Sequence, residues 1–161
     1  MATKKKAASR TRPSSRAADA LGMLRADHEK VSEMFDRYEN LRTQKQKESL
    51  AQVICNELKI HAQLEEEIFY PAAREAIHDE DLLEEATVEH QSAKDLIVQI
   101  EVGSAGQELF DAKVKVLGEY IKHHVKEEQN EMFPEVKQEW ARSQSARRAD
   151  GRSQGTTLVG Q

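Results

Sequence analysis

Two short stretches of the chain carry the same pattern. His61-Ala62-Gln63-Leu64-Glu65 runs on to Phe69-Tyr70-Pro71, and His124-Val125-Lys126-Glu127-Glu128 runs on to Met132-Phe133-Pro134. In each, a Glu follows the His one helical turn later, and an aromatic-Pro pair closes the unit. Residues four apart lie on one face of a helix, so both side chains can aim at a single buried spot. An acid-His pair stands well upstream of each unit, Asp27-His28 before the first and Glu89-His90 before the second. The acid-His, spacer, His-x-x-x-Glu arrangement therefore occurs twice. His28, His61, Glu65, His90, His124 and Glu128 together suggest a site for two metal ions. Imidazole with carboxylate and no thiolate suits iron, zinc, manganese or copper, and does not suit calcium or magnesium. Two carboxylates that can each bridge, with two histidines per metal, describe a dinuclear centre.

Helices must position these side chains. Leu21, Leu24, His28, Val31, Phe35 and Tyr38 alternate steps of three and four, the stripe of a bundle helix, over about residues 17–41. A polar connection, 42–47, leads to a second helix over about 46–77, with Leu50, Ile54, Leu58, His61, Leu64, Glu65 and Ile68 on its inner face. Pro71 should weaken or bend it, because proline removes a ladder hydrogen bond and crowds the preceding turn. His78-Asp79 reads as the break, with His78 exposed and Asp79 as N-cap of a third helix over about 80–102. There Leu83, Ala86, His90, Ala93, Ile97 and Ile100 form the stripe. Gly103-Ser104-Ala105-Gly106 stops it. The fourth helix spans about 107–140, bent near Pro134, with Phe110, Val114, Leu117, Ile121, His124, Glu128 and Met132 on one stripe. Four amphipathic helices with short links make an all-α, up-down-up-down four-helix bundle, and nothing suggests a strand.

Composition agrees. Of the 161 residues 33% are charged and only 5% aromatic, which favours helices and one domain with a modest core. The net charge of −5 divides into +6 over residues 1–18, +3 over 141–161 and −14 over 19–140. An acidic body is unlike a compact nucleic-acid reader and is compatible with a domain that binds cations. Residues 1–18 and 142–161 lack the apolar residues that would offset ordering entropy, so both are expected to be disordered basic tails around a domain of residues 19–141. The first tail offers at most a weak electrostatic contact to nucleic acid or an acidic partner. Cys55 stands alone, so no internal disulfide forms. With no secretory signal and no apolar run long enough to span a bilayer, a soluble cytoplasmic protein is expected.

A single His on an apolar stripe is ordinarily a satisfied core residue. Here each helix sets one on its stripe, two add a Glu one turn on, and no Lys or Arg shares the stripe as a counter-charge. Burying two carboxylates and four imidazoles without a charge partner is costly, and a central cation removes that cost for all six together. Ferritin-like bundles use Glu-x-x-His and are carboxylate-rich, unlike this His-first, His-rich set.

The chain resembles the hemerythrin-like, HHE cation-binding domain family. His28, His61-x-x-x-Glu65 with Tyr70-Pro71, His90, and His124-x-x-x-Glu128 with Phe133-Pro134 carry the resemblance, over about residues 20–138. It implies a four-helix bundle around two non-haem irons, oxo- or hydroxo-bridged, ahead of zinc or manganese. Glu65 and Glu128 would bridge them, and His28, His61, His90 and His124 would be terminal ligands. Family members carry or sense O2, sense iron or NO, or protect against oxidative stress. One departure matters. Oxygen carriers have a fifth His one turn from another on the third helix, and here Ala86 and Lys94 flank His90 at that distance. More coordination positions are then open to O2, NO or peroxide, and reversible carriage loses a ligand. The expected function is therefore binding of such a small oxidant. A peroxide-reducing or iron-oxidising enzyme and a metal- or oxygen-responsive interaction module are the alternatives, and no dedicated general acid or base favours an enzyme. Glu57 is a candidate extra ligand, His123 should face away from His124, and Glu66, Glu67 and Glu127 should be solvated.

Overall fold

The computed structural model describes residues 13–77 and 80–153. Six α-helices follow in order: α1 (Pro13–Asn40), α2 (Gln44–Leu64), α3 (Tyr70–Ala76), α4 (Glu80–Glu101), α5 (Phe110–Glu127) and α6 (Phe133–Ser153). A five-residue π-turn joins α2 to α3 at Glu65–Phe69, and a second joins α5 to α6 at Glu128–Met132. The chain thus forms four continuous rods, α1, α2–α3, α4 and α5–α6, as the stripes predict. Among the described residues there is no strand, and no helix is long and apolar enough to cross a membrane.

Antiparallel neighbours follow from which ends meet. Tyr38 at the end of α1, Leu50 near the start of α2, Ile100 at the end of α4 and Phe110 at the start of α5 share one apolar cluster. Leu21 and Leu24 of α1 join Phe69, Ala73, Leu83, Phe133 and Val136 in a second cluster at the other end. Between the two lies a polar layer, and its buried members are His28, His61, Glu65, His90, His124 and Glu128.

Several boundaries differ from the sequence reading. Residues 13–18 belong to α1 and residues 142–153 to α6, so helix runs past the expected domain limits of 19 and 141 on both sides. The disorder expected of the tails otherwise falls on residues 1–12 and 154–161, and the roles of His78 and Asp79 on residues 78–79, all outside the described residues. Helix α2 starts at Gln44 because the Thr43 side chain accepts a hydrogen bond from the Gln46 N–H at 3.3 Å. Helix α5 starts only at Phe110, because Leu109 takes a left-handed backbone, φ 69°, that no helix can include.

A π-turn stands where each proline was expected to weaken or bend its helix. Each π-turn widens the backbone just before its proline, and the Tyr70 N–H bonds Glu65 O while the Phe133 N–H bonds Glu128 O. The widened turn absorbs the amide that proline lacks. It also rotates the next residues about the helix axis. Ile68, expected on the inner face, is 51% exposed, and Phe69 and Tyr70 are buried in its place.

Candidate metal centre

The six side chains picked out by spacing converge from all four rods. The Nε2 atoms of His28 and His61 are 2.9 Å apart, and those of His90 and His124 are 3.2 Å apart. Glu65 lies between the pairs. Its Oε1 is 2.8 Å from His61 Nε2 and 3.8 Å from His28 Nε2, while its Oε2 is 2.9 Å from His90 Nε2 and 3.8 Å from His124 Nε2. Glu128 faces it, with Oε2 3.4 Å from His28 Nε2 and Oε1 3.7 Å from His124 Nε2. One donor atom from each of His28, His61, Glu65 and Glu128 falls in a group compact enough to hold a cation, and so does one from each of Glu65, His90 and His124. Glu65 belongs to both groups. The π-turns begin on these two glutamates, so the two carboxylates occupy equivalent places in the repeated unit.

The outer ring nitrogens show why a cation fits. His124 Nδ1 is 2.8 Å from Glu89 Oε2, His90 Nδ1 is 3.0 Å from Glu66 Oε1, and His61 Nδ1 is 3.6 Å from Asp27 Oδ2. A carboxylate only accepts, so Glu89 and Glu66 draw the ring protons of His124 and His90 to Nδ1 and leave their Nε2 lone pairs facing the centre, whereas His61 Nδ1 is buried with no hydrogen-bond partner and Asp27 stands beyond bonding distance. Gln129 lies 3.0 Å from His28 Nδ1, and its amide oxygen must turn toward the ring for the same tautomer. The interior is then lined by lone pairs. Both oxygens of Glu65 and Oε2 of Glu128 are buried with no hydrogen-bond donor in place. Such an arrangement is unfavourable until positive charge fills it.

Without a metal that charge comes from protons. Burial opposes a charge on His124, but Glu65, Glu89 and Glu128 outweigh it and push the imidazole up to about 10. His28 rises too, since Glu128 and Glu65 offset its burial. Burial likewise pushes Glu65 upward, yet its contacts with His124, His28, His61 and His90 prevail and hold it well below the ordinary carboxylate value. Burial and the charge of Glu65 raise Glu128. Hydrogen bonding to His124 keeps Glu89 low, as an acceptor should be.

One side chain in the centre escapes a reading by spacing. Tyr70, the aromatic of the first unit, donates to Glu128 Oε1 at 3.0 Å and lies 3.0 Å from His90 Nε2 and 3.4 Å from His124 Nε2. Burial and the charges of Glu65 and Glu128 keep its hydroxyl protonated. The corresponding aromatic of the second unit, Phe133, has no hydroxyl and stacks beside His28 at 6.0 Å. The two halves of the centre are therefore unlike. Glu66 is exposed, as expected, and it also bridges His90 and Lys94. Glu57 pairs with Lys30 at 2.8 Å and does not reach the centre. His123 turns away as expected and is 63% exposed. Cys55 is buried in the apolar cluster, which raises its thiol to about 11 and makes it a poor ligand.

Among curated proteins, a DNA nickase of Nostoc sp. (strain PCC 7120 / SAG 25.82 / UTEX 2576) is 27% identical over 115 residues, which cover 71% of this chain and 32% of that protein. The chain thus spans about a third of the length of this relative. No solved structure matches the chain. The model of the hemerythrin HHE cation-binding domain matches residues 19–136, the stretch that holds all six converging side chains, and the chain belongs to that family.

Proposed function

We propose that the chain is a non-haem di-iron protein that binds O2 or a related small oxidant, NO or peroxide, for oxygen or iron sensing, storage or protection against oxidative stress. His28 and His61 would hold one iron and His90 and His124 the other, with Glu65 and Glu128 shared between them. Iron there supplies binding and electron transfer toward such ligands. The protein holds the donors, keeps water out and orients Glu128 through the Tyr70 hydroxyl.

The observation that carries this reading is a small cavity of about 30 Å³ against His61, His90 and His124. Its remaining wall is mainly apolar, from Leu58, Ala93, Ile97, Ile121 and Val125. Lys59 and Lys94 close its rim, their ammonium groups engaged by Glu101 and Glu66. A space of that size holds one water-sized molecule and little else. Ile121 and Val125 also line a larger crevice of about 620 Å³ that reaches His28 between α1 and α5, which offers a route from solvent. The test is metal content and an optical spectrum of aerobically purified protein. Two irons per chain and the near-ultraviolet bands of a ferric pair are expected, and a fully loaded chain with one metal, or with zinc alone, refutes the di-iron reading. A steady-state assay with peroxide then separates binder from enzyme, and the binder shows no sustained consumption.

A second reading concerns nucleic acid. The +6 charge of residues 1–18 supports a weak contact through that segment. Such a contact depends on phosphate neutralisation and fades steeply with salt. Fluorescence anisotropy of a labelled duplex at low and physiological salt tests it, with a 19–161 chain as the control that should not bind.

A further inference from the structure

The runs His123-His124 and Glu127-Glu128 place two His/Glu pairs at the end of α5 and the first residue of the π-turn that follows. Consecutive helical residues stand about 100° apart, so the inner pair His124/Glu128 is repeated one step round the helix as an outer pair, His123/Glu127. Glu89-His90 has the same outer-inner relation on α4. In the structure the outer members meet. His123 Nε2 is 3.0 Å from Glu127 Oε1 and 3.6 Å from Glu89 Oε1, and one donor atom from each of the three lies within 4.8 Å of the others. They line an open groove with Glu84, Glu85 and Val88, and no Lys or Arg lines it.

Metal–nitrogen and metal–oxygen bonds of about 2.0–2.2 Å place neighbouring donors about 3.0 Å apart at right angles and about 3.4 Å apart at tetrahedral angles. The two distances from His123 lie close to those values. One imidazole with two carboxylates suits a divalent first-row transition ion that keeps positions for water. Glu89 also links this group to the interior, since its Oε1 faces His123 while its Oε2 accepts from His124 Nδ1.

We infer that Glu89, His123 and Glu127 form a surface site for a divalent transition-metal ion, and that Glu89 couples its occupancy to the buried centre. The site stands on its own geometry, and only the coupling rests on the di-iron reading. A cation on Oε1 draws charge from Glu89 and weakens its hold on the His124 Nδ1–H, and so alters His124 as a donor at Nε2.

The experiment is calorimetric titration of Zn2+ into the protein as purified, with iron content and spectrum recorded before and after. Wild type should take up one Zn2+ that His123→Ala binds about tenfold more weakly or worse, the lower end of what loss of a ligand-supporting group costs. His123→Ala should keep wild-type iron content and spectrum, and Glu84→Gln/Glu85→Gln should bind Zn2+ as wild type does. Equal Zn2+ binding by His123→Ala, or an equal loss in Glu84→Gln/Glu85→Gln, overturns the site in favour of diffuse surface acidity. If the protein carries no iron, one Zn2+ binding event still weakens about tenfold or more from wild type to His123→Ala when the surface site is real, and it is the buried reading that fails. Zn2+ is spectroscopically silent, so a shift in the iron absorption of wild type but not of His123→Ala supports the coupling, and no shift in either overturns it.

Discussion

Glu65 is fully buried, meets all four imidazole Nε2 atoms, and has no hydrogen-bond donor on either oxygen. That makes it the side chain on which the centre depends most. Glu65→Gln keeps shape but removes the negative charge and turns one oxygen into a donor. It should weaken metal retention beyond the roughly 10–100-fold seen when groups that merely support a ligand are lost. His90→Ala touches one half only, so a weakened but detectable site should remain, with water in the freed position. Metal content of both variants beside wild type decides. Complete loss in His90→Ala with two metals kept in Glu65→Gln reverses the assigned roles, and wild-type loading in both makes the six ordinary core residues. Tyr70→Phe should leave Glu128 Oε1 without its donor, at a cost of about 1–3 kcal/mol in thermal or chemical unfolding. The six convergent residues were legible because His and Glu one turn apart, twice over, are rare on an apolar stripe. Tyr70 was not, since an aromatic on such a stripe reads as core. Nor was Glu66, whose partner His90 comes from another rod and depends on how the rods are rotated.

At the scale of elements, the stripes located all four rods but not the π-turns. A heptad-like pattern assumes a constant angle per residue, and the π-turns after Glu65 and Glu128 break that constancy. Ile68 was misplaced for that reason. The start of α5 was misplaced for a different reason. Gly106 carries φ +93° and ends the turn as glycine should, but Leu109 carries φ 69° with a side chain 62% exposed, which composition does not reveal. A leucine there costs about 1–2 kcal/mol in backbone strain. Leu109→Gly removes that strain and gives back about 0.4–1 kcal/mol through the freer unfolded chain. A net gain of roughly 0.5–1 kcal/mol, or about 2–4 °C in Tm, is expected. A thermal melt of the variant at or below the wild-type Tm contradicts the strain.

The whole molecule places two apolar clusters around a charged layer, so its stability is tied to what neutralises that layer. In protein stripped of metal by a chelator, protons on His124 and His28 do part of this. Both pKa values lie above the ordinary 6.5, that of His124 at about 10. A group raised by folding stabilises fully below its unfolded pKa, and that stability is lost as pH rises through the folded value. Stripped protein should therefore lose thermal stability between about pH 6.5 and 10, by on the order of a few kcal/mol. In loaded protein the same imidazoles are neutral ligands across this range and have no such proton to lose. Its stability should stay nearly flat there, and metal uptake should strengthen with pH as fewer protons must be displaced. Every group outside the centre is common to both forms, so the difference between the two melting curves isolates the centre. The measurement is Tm of stripped and loaded protein at several pH values from 6.5 to 9.5. Curves that run parallel, or a stripped form that gains stability as pH rises, would show that the charged layer does not hold its protons where the geometry of His28, His124, Glu65 and Glu128 puts them.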